Sequence, residues 1–255
     1  MASCLIALAL LLLTAPFAAV VHAAEKVYRV GMLETRSSEL NRANVDAFRQ
    51  GLRELGYKEG QNLEIVYRSS DGRDERFPGL ASELVSLKVD LILTRGTPAA
   101  LAAKSATGII PVVMAASGDP VGSGIVASLA RPGGNVTGLS SGITESYPKR
   151  VELLRDLLPG LKRIAAILNM GNPVIPPQWR IVEASARSLG IEAQLLDVRR
   201  PEDVREAFDA AAKHRAGALV VGLDGVTQAN LRPIAELAAK RRLPSIYPAK
   251  DYANV

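Results

Sequence analysis

The strongest constraint on this chain is that its second half repeats the order of its first. A helix end, a glycine and a strand read Leu55-Gly56 and then Leu63-Glu64-Ile65-Val66, and again Leu189-Gly190 and then Ala193-Gln194-Leu195-Leu196. Buried-strand runs follow as Asp90–Thr94 and Ala218–Gly222, and each half then gives Ile110-Pro111-Val112-Val113 or Leu243-Pro244-Ser245-Ile246. Gly190 follows Gly56 by 134 positions, Gly222 follows Thr94 by 128, and Pro244 follows Pro111 by 133. A near-constant spacing of this kind requires two units of the same topology. It leaves little room for a single long sheet.

Within each unit, β-branched runs alternate with amphipathic helices. Strands are expected at Tyr28–Leu33, Leu63–Tyr67, Asp90–Thr94, Pro111–Ala115, Arg163–Leu168, Ala193–Val198, Ala218–Leu223 and Pro244–Tyr247. Between them Val45, Phe48, Leu52 and Leu55 recur at helical spacing, as do Phe77, Leu80, Leu84 and Leu87, and Leu231, Ile234 and Leu237. Strand–helix–strand alternation predicts an α/β protein of two similar Rossmann-like lobes, each a parallel sheet with helices on both faces. The turn-rich stretch Arg131–Gly138 marks the expected junction, with a hinge at Asn135, Val136, Thr137 and Gly138. The expected organisation is a leader over 1–23, a first lobe over 24–138 and a second over 139–255.

Residues Leu5–Val21 are apolar apart from Thr14 and Pro16, and Val21-His22-Ala23 precedes the charged Glu25-Lys26. A run this short, ending in a small-x-small pattern, reads as an export signal rather than a membrane span, although Met1–Cys4 brings no Lys or Arg. Removing it takes away Cys4 and His22, so neither a cysteine nucleophile nor a Cys/His zinc centre is expected. His214, in Ala211–Arg215, reads as a helix C-terminal dipole partner. The net charge of +5 comes from interspersed acids and bases. Its longest basic run, Lys240-Arg241-Arg242, fits the end of a helix, and no nucleic-acid surface is expected.

The loops that follow strands carry the recognition chemistry. In Thr94-Arg95-Gly96-Thr97-Pro98-Ala99, Thr97 is an N-cap candidate, Pro98 suits the first helical turn, and Gly96 allows a ligand close to the backbone. Such a helix start can hold a carboxylate or phosphate, or simply be capped with nothing bound. In Ser117-Gly118-Asp119-Pro120, Asp119 either accepts from a ligand ammonium or caps its own turn. The second-half loops Asn169-Met170-Gly171-Asn172-Pro173 and Leu223-Asp224-Gly225 occupy the equivalent places, as site or as empty turn. Gly122–Ala127 fits G-x-G-x-x-A but does not follow a strand, so no dinucleotide cofactor is expected. Asn135-Val136-Thr137 is a glycosylation sequon that a turn explains equally well. No Walker loop, nucleophile elbow or clustered acidic metal motif is present, so no metal site is expected, and an enzyme would have to work with carboxylates, Lys or Tyr.

Three stretches carry a family resemblance. They are Phe48–Tyr57 with Glu59–Asn62, Gly118–Gly122 with Leu129–Leu139, and Glu236–Ala239 with Arg242–Tyr247. From about Lys26 onward the chain resembles the ABC transporter substrate-binding protein family. The resemblance implies a type I periplasmic binding fold, a small ligand held between lobes, and delivery to the membrane permease of an importer. It implies periplasmic or secreted placement after signal cleavage, and an amino acid or similar small organic solute as ligand. Carried over by position, the ligand contacts are Glu34, Thr35, Gly96, Thr97, Ser117 and Asp119 from the first lobe, with Asn169 and Asp224 from the second. The chain departs from the family at Leu223-Asp224-Gly225-Val226, where relatives commonly carry Asp-Pro and aromatics. It also ends at Asn254-Val255, where relatives continue, which implies an incomplete second lobe with an unpaired sheet edge that closes less readily. A ligand-sensing regulator is the alternative in this fold, and a carboxylate-dependent enzyme the third. The regulator would need a DNA-binding module where the export signal lies.

Overall fold

The computed structural model describes residues Lys26–Lys250 and Tyr252; the leader, Cys4 and His22 lie outside the described residues. The first sheet contains β1 (Tyr28–Glu34), β2 (Leu63–Ser69), β3 (Leu91–Arg95), β4 (Val112–Ser117) and β5 (Val136–Ser140). Its order is β2-β1-β3-β4-β5, all parallel. The second sheet contains β6 (Arg163–Leu168), β7 (Glu192–Asp197), β8 (Ala218–Val221) and β9 (Ser245–Ile246), in the order β7-β6-β8-β9, again all parallel. The two orders are the same doubly wound pattern, so the repeat in the sequence is a repeat of topology.

Helices α1 (Arg42–Glu54), α2 (Phe77–Ser86) and α3 (Thr97–Ala106) cover the first sheet. Leu33, Phe77, Ala81, Leu84 and Ile92 pack with Ala99, Ala100 and Ala103 on one face, while Val30, Met32, Val45 and Leu63 pack on the other. The alanines of α3 let it lie close against α2. The second sheet is covered by α4 (Tyr147–Leu157), α5 (Ile175–Ser188), α6 (Asp203–Lys213), the short α7 (Gly225–Ala229) and α8 (Leu231–Lys240). Its two faces bury Phe208 and Ile234 on one side and Tyr147 and Ile175 on the other. Strands such as β6 and β8, buried along almost their whole length, read as continuous apolar runs because both faces are covered. Among the described residues, no helix is long and apolar enough to cross a membrane.

The C-terminal ends of α6 and α8 lie where the sequence places them. His214 is the C-cap of α6, and Lys240 and Arg241 close α8, where Arg241 Nη1 donates to the Phe208 carbonyl at 2.9 Å.

One expectation is corrected here. Val136, Thr137 and Gly138 are not a turn but the start of β5, paired in register with Val112, Val113 and Met114. Asn135 is also structural, since its Nδ2 donates to the carbonyls of Thr107 at 2.9 Å and Ile110 at 2.8 Å. The strand is a short edge element whose residues after Val136 are exposed, so it lacks the apolar alternation that marks its neighbours. The connection from the first sheet to the second lobe lies in residues 141–146, between Ser140 and α4. Gly138 holds φ near +140°, and a Cβ there would sit 2.6 Å from Met114 N and 2.8 Å from its carbonyl carbon. Gly138→Ala is therefore expected to lower unfolding stability by about 1–3 kcal/mol, read from the urea midpoint.

Candidate functional site

In a doubly wound sheet the loops after the central strands diverge, and ligands settle at that switch point. In the first lobe the switch lies between β1 and β3, in the second between β6 and β8. Six of the eight residues expected as ligand contacts line one cleft between the two lobes, which measures about 630 Å³ including its solvent-open mouth: Glu34, Thr35, Gly96, Thr97, Ser117 and Asp224.

Thr97 does not cap α3. Gly96 occupies the N-cap with φ of +91°, and Thr97 is the first helical residue. This frees its hydroxyl to accept from Gly118 N at 3.1 Å and to share a hydrogen bond with Ser117 Oγ at 3.0 Å. The start of α3 thus presents two hydroxyls and the helix dipole's positive end, a set suited to a carboxylate.

Across the cleft, Asp224 is buried and is the N-cap of α7, with Val226 N donating to Oδ1 at 2.8 Å. Asn172 Nδ2 donates to Oδ2 at 2.8 Å and Asn169 Nδ2 to Oδ1 at 3.1 Å. Burial raises its carboxyl above the ordinary range, against the pull of these donors. Among the described residues it forms no ion pair. A buried carboxylate that lines a cleft and has no ion-pair partner of its own is chemically suited to an ammonium group.

Two expected contacts fall elsewhere. Asp119 does not line the cleft: it is exposed and accepts from Gly122 N at 2.8 Å, capping the turn that follows. That turn contains Gly122–Ala127, so the G-x-G-x-x-A run opens no helix. Asn169 lies behind Asp224, where its Nδ2 also donates to Asp74 Oδ2 at 2.9 Å and joins the two lobes.

Sequence reasoning missed Arg36, Arg95, Asn172 and Gln178, all of which line the cleft. Arg95 and Asn172 stood within recognised loops, whereas Gln178 is inside α5 and no loop signal could have found it. Gln178 Oε1 accepts from Tyr147 Oη at 3.0 Å and its amide donates to Thr144 at 3.0 Å, which fixes its orientation. In the first lobe Arg36 Nη2 donates to Asn41 at 2.9 Å, and the Tyr67 hydroxyl donates to the Arg36 carbonyl at 2.7 Å. Burial pushes the Glu34 carboxyl up, opposed by the charge of Arg95, the amide of Asn41 and the charge of Arg36. Burial and the charge of Glu34 push the Tyr67 phenol to about 12. Among the described residues, no aromatic side chain lines the cleft.

Two glycines allow the lobes to meet. A Cβ on Gly118 would come within 2.8 Å of Val174 Cγ2, and one on Gly225 within 2.7 Å of Thr35 Cβ and 2.9 Å of its Cγ2. Arg73 Nη2 also reaches Glu202 at 2.6 Å from one lobe to the other.

Two parallel α/β lobes shut on a polar cleft at both switch points define a type I periplasmic binding protein. The chain matches the family described as ABC transporter substrate binding protein over residues 30–255, and it belongs to that family. It is 31% identical over 199 residues to a tyrosine-binding protein of Clostridioides difficile, covering 78% of this chain and 57% of that protein, so it spans little more than half of that relative's length. A conserved domain protein of Vibrio cholerae superposes with a TM-score of 0.79 at 28% identity, covering 90% of this chain and 76% of the other. A Streptococcus pneumoniae ABC domain in complex with L-Trp superposes at 0.74 and 27% identity, covering 86% and 73%.

Proposed function

We propose that this chain is the extracytoplasmic solute receptor of an ABC importer, and that it holds an amino acid as its zwitterion between the lobes. One observation carries the reading: the hydroxyls and helix start at Thr97 and Ser117 face, across the closed cleft, a buried Asp224 that has no cation. The ligand's carboxylate sits against the first set and its ammonium against Asp224, with Gln178, Asn172 and Arg95 left for the rest of the molecule. The named ligands of the similar proteins, tyrosine and L-Trp, are amino acids and support this assignment. An aromatic ring here would lie against Ile143, Val174, Leu223 and the Arg95 guanidinium, because the cleft supplies no ring of its own. Opening and closing bend the chain at residues 141–146 rather than at Asn135, whose amide is held by Thr107 and Ile110, or at Val136–Gly138, which lie in β5. Delivery to a membrane permease, and export by the leader over 1–23, belong to the same reading.

The test is a thermal-shift screen of the L-amino acids, starting with L-tryptophan and L-tyrosine. A ligand present at a hundredfold excess over its Kd should stabilise the protein by about 2.7 kcal/mol. Its carboxamide and its N-acetyl derivative should give no shift, since each removes one of the two charges. Failure of every amino acid to shift the melting of folded protein would contradict the proposal.

A further inference from the structure

We propose that the lobes close with one proton held between Asp74 and Asp224, so that the empty receptor takes up a proton as it shuts and a ligand ammonium takes that proton's place. This deepens the receptor reading and rests on it for the ligand step, but proton uptake by the empty protein stands on the geometry alone.

The two carboxylates come from different lobes. Asp74 lies in the segment after β2, which crosses to the second lobe: the open side of Gly72 is walled by Pro201, Ala229 and Asn230, and Arg73 pairs with Glu202. Asp224 lies at the start of α7. A single nitrogen separates them, because Asn169 Nδ2 donates to Asp74 Oδ2 at 2.9 Å and to Asp224 Oδ1 at 3.1 Å. Asn169 cannot rotate to relieve either acid, since its own oxygen accepts from Gly171 N at 3.0 Å.

Among the described residues, neither acid has an ion-pair partner. Beside Asp74, Glu75 adds further negative charge, Arg73 is committed to Glu202, and Arg76 to Asp71. Arg199 lines the same groove but is held to Asp197 at 2.8 Å. Beside Asp224 stand the phenols of Tyr147 and Tyr252, which are neutral. Glu34, Arg36 and Arg95 line the cleft from the first lobe. Asp224 is buried and Asp74 half-buried, and two carboxylates that share one amide there cannot both ionise cheaply. Burial and the charge of Asp224 accordingly raise Asp74 to about 7.

The sign follows directly. When the lobes part, Asp74 loses the Asn169 amide and the neighbouring charge of Asp224 and returns to the ordinary carboxylate range, while Asp224 keeps its donors Asn169, Asn172 and Val226 from its own lobe. The raised value belongs to the closed form, so closure gains from acidification, with the gain complete below the ordinary range and lost as pH rises through about 7. An ammonium group seated on Asp224 neutralises the pair electrostatically and makes the proton unnecessary.

The experiment places spin labels at Ser82→Cys on α2 and Ala184→Cys on α5 and reads the distance between them without ligand from pH 5 to pH 8. The expected result is a long distance at pH 8 that shortens on acidification, and a short, pH-independent distance in Asp74→Asn, whose amide needs no proton to face Asp224. Glu75→Gln, which removes only a neighbouring charge, should still close on acidification, with its midpoint moved slightly to lower pH. A parent distance that does not change with pH, or an Asp74→Asn that titrates like the parent, overturns the proposal. Adding L-tryptophan or L-tyrosine at pH 8 separates the two readings: acid closure without amino-acid closure sustains the proton claim and counts against the amino-acid receptor.

Discussion

Asp224→Asn is expected to weaken amino-acid binding by at least about 100-fold while the protein stays folded. The substitution keeps the size of the side chain and one oxygen, which can still accept from Val226 N and the Asn169 amide, although the Asn172 amide loses its acceptor. What it removes is the charge, and loss of one partner from a buried, hydrogen-bonded charge pair typically costs about 2–5 kcal/mol of affinity. Asp224→Ala is a poorer probe, because it also strips the α7 cap, worth about 1 kcal/mol, and leaves Asn169 with Asp74 alone as acceptor and the Asn172 amide with none. Calorimetric titration of the two proteins with the amino acid that gives the largest thermal shift provides the check. Asp119→Asn is the matched control: it alters an exposed turn cap and should leave affinity unchanged. If the two variants behave alike, the ammonium does not sit on Asp224.

Gly225→Ala should separate folding from closure. Gly225 is the first residue of α7, a position where alanine is at least as well tolerated as glycine, so the open protein keeps its melting temperature or gains slightly. The added methyl, however, meets three atoms of Thr35 from the other lobe, with Cβ at 2.7 Å, Cγ2 at 2.9 Å and Oγ1 closer still. Thr35 is short and β-branched, and no rotamer clears all three contacts. The lobes must therefore stop short, and the ligand loses one wall of its site. Affinity is expected to fall by about 10–100-fold, the scale of 1–3 kcal/mol for overpacking a tight contact. An unchanged affinity would mean that the Thr35–Gly225 approach is not part of the bound state.

Much of this architecture is visible in the amino-acid order, for a physical reason. Strands such as β6 and β8 are buried on both faces and appear as unbroken apolar runs, while α1 and α8 show their buried faces at helical spacing. The loops after them were legible because a strand end followed by glycine, proline and a short polar residue is a local signal. Thr97, Ser117 and Asp224, which line the cleft, lie in loops read in this way. β5 was not, since an edge strand with a glycine at its centre and exposed residues along it has neither signal. Asp119 was misplaced because a capping aspartate and a ligand-binding one look alike until the turn is seen. Asp74 was unreadable for the opposite reason: its partner Asn169 is 95 residues away, and nothing near either residue reveals that the lobes bring them together. The two glycines at the lobe boundary, Gly118 and Gly225, could likewise be understood only from the other lobe.

The central claim is that one small zwitterion touches both halves at once. Backbone amide chemical shifts of the isotope-labelled protein, recorded as the best-shifting amino acid is added, test it most directly. The account predicts the largest changes at Gly96, Thr97 and Gly118 in the first lobe together with Gly225 and Val226 in the second, all saturating at the same ligand concentration. Changes confined to one lobe, or lying on the outer faces of the helices, would contradict it.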